Sequence, residues 1–349
     1  MKVLVVGLNW VGDVIMSFSA IANAAIGSTE KVDVITRPHL APLYKLHPGI
    51  GNICAMDTKR PFWRLLPEIL RLRRRAYDII VVFPHSFRSA LHAFLCGGSM
   101  RAGYASEGRS ALLTLALPIP ARFEKQHESS LHVHLVAAAG LPDITAPLPT
   151  VKLPSDLRTA TLQHFGLKSD EDYAVIAPGA AFGEAKRWPA ERFAEVALRI
   201  HHLLGWRVVV TGSNNETEIA LTARVAAALP GLALDLGGRT SLDELIRILA
   251  CSRLLLANDS GTMHLGALLK VPLVVPVGST DMARTGPLAE LAALVRTDSC
   301  RKVCRQSVCP QGTNDCMRSI SVDAMMDAIK ELLARARTSA RPEGICCHG

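Results

Sequence analysis

The feature that most constrains this chain is a grammar written twice. An apolar run short enough for a buried strand ends in a loop of small and polar residues, and an apolar pattern of helical period follows. Residues 2–6 run into Gly7-Leu8-Asn9-Trp10-Val11-Gly12-Asp13, and a helical pattern then covers 14–25. Strands at 32–36, 78–83 and 101–104 continue the first series, with 112–120 ambiguous and 131–139 helical. Residues 142–154 carry four prolines, few charges and no period, which reads as an interdomain linker. The series then restarts, with strands at 173–177, 207–210, 232–236, 254–257 and 273–277 and helices between them. Two such series predict two doubly wound parallel sheets, an α/β architecture of two Rossmann-like domains facing an interdomain cleft. The expected boundaries are 1–154, 155–335 and a tail from 336 to 349.

A length of 349 residues accommodates two domains, and 49% hydrophobic residues suffice for two cores. No apolar run approaches the roughly 18 residues that span a bilayer. The apolar run at the N-terminus is too short for a signal-peptide core, so the expected compartment is the cytoplasm. The net charge of +8 asks for an anionic partner, while 5% aromatics argue against a base-stacking platform and hence against nucleic acid. Much of that charge sits in one block: Lys59, Arg60, Arg64, Arg71, Arg73, Arg74 and Arg75, with Glu68 the acid among them. Phe62, Leu65, Leu66, Ile69 and Leu72 keep helical spacing within it. Such a block is either the solvated face of an ordinary helix or a basic amphipathic helix meeting phosphates or an anionic membrane.

Ligands of doubly wound sheets bind past the carboxyl ends of the strands. That rule gathers Asp13, Lys186, Glu216 and residues 259–264 at one cleft. Asn258-Asp259-Ser260-Gly261-Thr262-Met263-His264 follows a buried strand and opens a helix, an arrangement that aims free amides and a positive dipole end at one point. It is an anion site or simply a capped helix. Lys186 and His264 can meet negative charge, and Glu216 and Asp259 can accept hydroxyls. Asp13 is either a helix-start acid or a general base. Its loop, with Gly7 and Gly12, matches neither the dinucleotide fingerprint nor a P-loop. Together these groups are what a sugar nucleotide requires: a pyrophosphate clamp with acceptors for sugar hydroxyls. Cys300, Cys304, Cys309 and Cys316 are dense but lack zinc-ribbon spacing, leaving structural thiols, a redox pair or zinc open.

Four blocks carry a resemblance: Gly7-x-x-Trp10-x-Gly12-Asp13; Ser86-Phe87-Arg88-Ser89; Pro178-Gly179-Ala180 with Lys186-Arg187-Trp188-Pro189; and residues 258–264. In combination they resemble the ADP-heptose:lipopolysaccharide heptosyltransferases of glycosyltransferase family 9, nearest the branch that adds the second core heptose. The resemblance implies a GT-B fold and inverting transfer from ADP-heptose to heptose I of the lipopolysaccharide inner core. It implies Asp13 as general base, with Lys186 and His264 at the pyrophosphate. It places Glu216 at the ribose, Thr240 beside the adenine and Asp259 at the heptose hydroxyls, with helix-start amides from Ser260, Gly261 and Thr262. Asn9, Trp10, Arg60 and Arg88 fall on the acceptor side. It implies no metal or other cofactor, and a peripheral position on the cytoplasmic face of the inner membrane. The rival readings are a relative with another acceptor, a two-domain sugar-nucleotide epimerase and a non-catalytic phosphoglycan-binding protein.

Overall fold

The computed structural model describes residues 1–338 apart from 59, 145–146, 152 and 301–302, and the backbone alone of 62. Two compact units divide the chain, Met1–Val151 and Lys152–Gly349. The first holds β1 (Val3–Val6), β2 (Val32–Thr36), β3 (Ile50–Ala55), β4 (Ile79–Val82), β5 (Met100–Tyr104) and β6 (Leu115–Leu117). The second holds β7 (Tyr173–Ala177), β8 (Arg207–Val210), β9 (Ala233–Asp235), β10 (Leu254–Ala257), β11 (Leu273–Pro276) and β12 (Ala292–Val295). The sheets run β3-β2-β1-β4-β5-β6 and β12-β11-β10-β7-β8-β9. Strand pairing is parallel throughout both. Each unit therefore winds outward over three strands, returns to the centre and winds the other way. The winding reverses between β1 and β4 in the first unit and between β7 and β10 in the second. These are the two points where a doubly wound sheet opens a ligand crevice.

The central strands explain this order. Val-Leu-Val-Val in β1, Ile-Ile-Val-Val in β4, Tyr-Ala-Val-Ile-Ala in β7 and Leu-Leu-Leu-Ala in β10 are buried at every position. Only a strand covered by helices on both faces can be apolar throughout. The helix Ala190–Leu204 closes one face of the second sheet with Phe193, Val196, Ala197 and Ile200, packed with Trp188 and Met325 in one core. The helices Leu66–Arg73 and Phe87–Cys96 cover one face of the first sheet through Ile69, Leu72, Ala90, Ala93 and Cys96.

Several local expectations are corrected. Residues 14–25 form no single helix: Val11–Met16 and Phe18–Gly27 meet at Ser17. The Ser17 hydroxyl donates to the Val14 carbonyl at 2.7 Å, and such back-bonding loosens the helical ladder. Three strands carry no clear strand signal in the sequence: β3, β6 and β12. All three are sheet edges, and their residues, Ile50 apart, are half-buried or exposed. An edge strand needs no continuous apolar run. In the basic block, Leu65, Ile69 and Leu72 are buried but Leu66 is exposed. A short 3-10 turn over Phe62–Leu65 precedes the α-helix, and the change of pitch rotates Leu66 out of the buried row. Lys59, the side chain of Phe62 and the tail's Cys346, Cys347 and His348 lie outside the described residues. Among the described residues no helix is long and apolar enough to cross a membrane.

Candidate active site

In the second unit the site is assembled by loops that leave adjacent strands. Asn258, directly after β10, is fully buried. Its side chain accepts from the Trp188 backbone N–H at 3.0 Å and donates to the Pro178 carbonyl at 2.7 Å. One amide thus ties the loop after β7 to the loop after β10 across the point where the winding reverses. The next residue, Asp259, is 7% exposed. Lys186 Nζ lies 2.6 Å from Asp259 Oδ2, and Thr280 Oγ1, from the loop after β11, donates to the same oxygen at 2.5 Å. The ammonium also stands 4.6 Å from the centroid of the Phe182 ring. Ammonium and carboxylate are held by three loops and an aromatic face, so little motion is needed to present them.

Ser260 then starts the helix Gly261–Leu268 with extended backbone, but its hydroxyl does not cap the helix and is buried without a hydrogen-bond partner. Ser260, Gly261 and Thr262 are half-buried, whereas residues 263–268 are buried, His264 among them. First-turn amides that no side chain caps, at the positive end of a dipole, suit an anion. Glu216 is the exposed first residue of the helix Glu216–Ala227, and Thr240 is half-buried just ahead of the Ser241 cap. The structure thus joins Lys186 to Asp259 and sets residues 260–264 on the helix that follows. It makes no bond from Glu216 or Thr240 to that pair among the described residues.

Sequence reasoning misses four groups here. Thr280 has no motif of its own. Glu218 is the buried acid beside β8: it accepts the Ser213 N–H at 2.7 Å and lies so close to Gly179 that a Cβ there would stand 2.5 Å from its carboxyl carbon. Its signal is the third helical position after the Asn215 cap, whose side chain accepts the Glu218 N–H at 2.9 Å. The last two, Arg305 and Ser307, belong to the cysteine-rich segment, which braces the loops that carry Lys186 and Thr280. The Arg305 N–H donates to the Ser279 carbonyl at 3.0 Å, and its guanidinium pairs with Asp281 at 2.7 Å. The Ser307 carbonyl accepts from the Ala185 N–H at 3.0 Å, and Asn314 Nδ2 donates to the Glu184 carbonyl at 2.9 Å. Gly183 has φ of 151°, and a Cβ there would collide with the Ser307 carbonyl. Backbone N–H donors, Asn314 foremost, pull the Cys309 thiol pKa down, while burial pushes Cys316 up. None of the described cysteines forms a disulfide, and no group of three or more described His, Cys, Asp or Glu is placed to hold a metal ion.

In the first unit a cavity of about 420 Å³ lies past the ends of β1, β2 and β4, lined by Asn9, Thr36, Arg37, Ser86, Arg88 and His92 among others. Ser86 caps the helix Phe87–Cys96, and Arg88 Nη1 donates to the Thr58 carbonyl at 2.8 Å. Burial, with Arg88 beside it, lowers the His92 pKa, so this ring is neutral at pH 7. Beneath the cavity lies a further unforeseen group, the fully buried Arg109. Its guanidinium donates to the Tyr104 carbonyl at 2.9 Å, to Ser89 Oγ at 3.1 Å and to the Pro84 carbonyl. It fixes the loop that carries Ser86 and Arg88. Asn9 and Arg88 therefore meet at the cavity, whereas Trp10, Asp13 and Arg60 are not in its lining. Asp13 is half-exposed in the first turn of Val11–Met16, and its charge adds to the burial that raises the Tyr44 pKa. Trp10 is 66% exposed, and Arg60 pairs with Asp57 at 3.4 Å.

These sites can be set beside known proteins. The profile of glycosyltransferase family 9 (heptosyltransferase) matches residues 69–314. Lipopolysaccharide heptosyltransferase 2 of Escherichia coli K12 is 28% identical over 348 residues, covering 95% of this chain and 99% of the relative. Lipooligosaccharide heptosyltransferase 2 of Haemophilus ducreyi is 29% identical, covering 96% and 100%. The solved structure of Escherichia coli ADP-heptose lps heptosyltransferase II superposes with a TM-score of 0.84 at 27% identity, covering 97% of this chain and all of that one. The two doubly wound sheets are those of the GT-B type, and the chain belongs to glycosyltransferase family 9, the heptosyltransferases.

Proposed function

We propose that this chain transfers L-glycero-D-manno-heptose from ADP-heptose to heptose I of the lipopolysaccharide inner core, with inversion at the anomeric carbon. The observation that carries the reading is the paired Lys186 and Asp259, 2.6 Å apart, beside an uncapped helix start in a family 9 chain. Lys186, the amides of residues 260–262 and His264 take the charge of the departing ADP. Asp259 reads the heptose hydroxyls, Glu216 the ribose and Thr240 the adenine edge. Asp13 accepts the proton of the acceptor hydroxyl as its oxygen attacks the anomeric carbon opposite the leaving group. The C–O bond to ADP breaks as the new one forms, and ADP leaves with the bonding pair.

In this scheme protein groups balance the leaving-group charge that a metal ion carries elsewhere. Asn9, Trp10, Arg60 and Arg88 hold the anionic acceptor, and the enzyme works at the cytoplasmic face of the inner membrane. Incubation with ADP-heptose and lipopolysaccharide bearing heptose I, followed by mass spectrometry, tests the reading. The expected product carries one additional heptose, with no gain on heptose-free lipid A–Kdo. Addition to the heptose-free acceptor, or none to either, overturns it.

A further inference from the structure

The helices Leu66–Arg73 and Phe87–Cys96 lie side by side on the first sheet. Arg88 near the start of one bonds to Thr58 ahead of the other, and Arg73 near the end of one donates to the Leu95 carbonyl of the other at 3.2 Å. Their inner faces share one core, so their outer faces point away from the sheet. Those outer faces are not polar. Trp63 is 63% exposed, Leu66 39% and Leu70 44%, at spacings of three and four residues. Phe87 and Phe94, two turns apart, are 48% and 44% exposed. Large apolar side chains exposed on two neighbouring helices of one unit mark a surface that meets something.

The charges around them say what. Arg64, Arg71 and Arg74 are exposed and form no ion pair among the described residues. Glu68 is the acid within the helix Leu66–Arg73. Apolar side chains bordered by unpaired arginines fit the headgroup boundary of an anionic bilayer, where rings and leucines enter the acyl edge and guanidinium groups meet phosphates. The patch also adjoins the cavity of the first unit, because Arg88 and Thr58 line that cavity. We infer that Trp63, Leu66, Leu70, Phe87 and Phe94 form a docking face that inserts shallowly into an anionic phospholipid surface and brings the cavity to a lipid-linked acceptor. The acceptor part of this inference rests on the function proposed above.

The test is co-sedimentation of the full chain with vesicles of phosphatidylglycerol and phosphatidylcholine, against vesicles of phosphatidylcholine alone. The chain is expected to pellet with the anionic vesicles and to be released by salt, which screens such contacts. Each unpaired arginine contributes about fivefold to the partition. The variant Trp63→Ser/Leu66→Ser/Leu70→Ser is expected to lose about tenfold or more in partition, since less apolar surface leaves water. Its circular dichroism and its turnover on a deacylated, water-soluble acceptor are expected to match the parent chain. Phe94→Ser repeats the test on the second helix. A parent chain that stays in the supernatant, or variants that bind as well as the parent, overturns the inference. So does a parent dimer that the triple variant splits with vesicle binding unchanged, since a second copy would then cover the face. Vesicle binding without any heptose transfer leaves the docking face standing and sinks the transferase reading. Transfer to the soluble acceptor without vesicle binding does the reverse.

Discussion

The two units wind the same strand order, and their reversal points hold opposite kinds of site. At β7 and β10 the chain spends its loops on closure: Asn258 locks two of them, Thr280 comes from a third, and an ion pair 2.6 Å long sits between. At β1 and β4 it leaves a cavity of about 420 Å³ with arginines on its wall and a neutral histidine within it. A closed site of fixed charges can hold a defined pyrophosphate and sugar. An open, basic one admits a bulky anionic partner. The fold decides where each site lies, and the loops decide what it does.

The sharpest way to break this division is at the base. Asp13→Ala should lower turnover by about 10² to 10⁴, the range of general-base catalysis, in a radiolabelled heptose-transfer assay. Unchanged turnover removes Asp13 from the chemistry.

Lys186→Met should come next, in stability as well as in rate. It strands the buried Asp259 carboxylate, which costs roughly 3–5 kcal/mol when one partner of a buried pair is removed. The melting temperature should fall, and Lys186→Met/Asp259→Asn should recover part of the loss. A double variant that loses the sum of what Lys186→Met and Asp259→Asn lose singly would show that the pair contributes no coupling.

Acid should separate the units themselves. His47, His85, His92, His132 and His134, all in the first unit, are pushed down by burial first, His132 to about 3 from its ordinary 6.5. A histidine whose folded pKa is depressed stabilises the fold while it is neutral. Its contribution is complete above 6.5 and is lost as pH falls from there toward about 3. At pH 5, His132 alone should remove about 2 kcal/mol, so calorimetry should show the first unit melting earlier as pH drops. His132→Gln should flatten that dependence, and an equal shift of both units would contradict it.

The smallest effect is expected at the brace. Arg305→Ala removes a half-exposed ion pair to Asp281, worth roughly 0–1 kcal/mol in stability. If the segment positions Thr280 and Lys186, the KM for ADP-heptose should rise severalfold with little change in melting temperature. An unchanged KM would reduce the segment to packing.

The legible part of the fold was the part buried on both sides. β1, β4, β7 and β10 announce themselves as unbroken apolar runs, and the two reversal points follow from them. Edge strands do not: Ala-Ala-Leu-Val in β12 has neither an alternating pattern nor β-branched residues until its last position. At the site, Lys186 and Asp259 were found because strand-end loops converge by rule. Thr280, Glu218 and Arg109 were not, because each acts through a contact made only in three dimensions. The exposed Leu66 was hidden for a related reason: leucine in a helical pattern reads as core until the phase of the helix is known.

The central claim is that the second unit holds the donor and the first supplies the base. Titration calorimetry of ADP-heptose into Asp13→Ala and Asp259→Ala, side by side with the parent chain, tests it most directly. The account predicts parental affinity for Asp13→Ala and a loss of about tenfold or more for Asp259→Ala. Parental affinity in Asp259→Ala, or an equal loss in both, would contradict it.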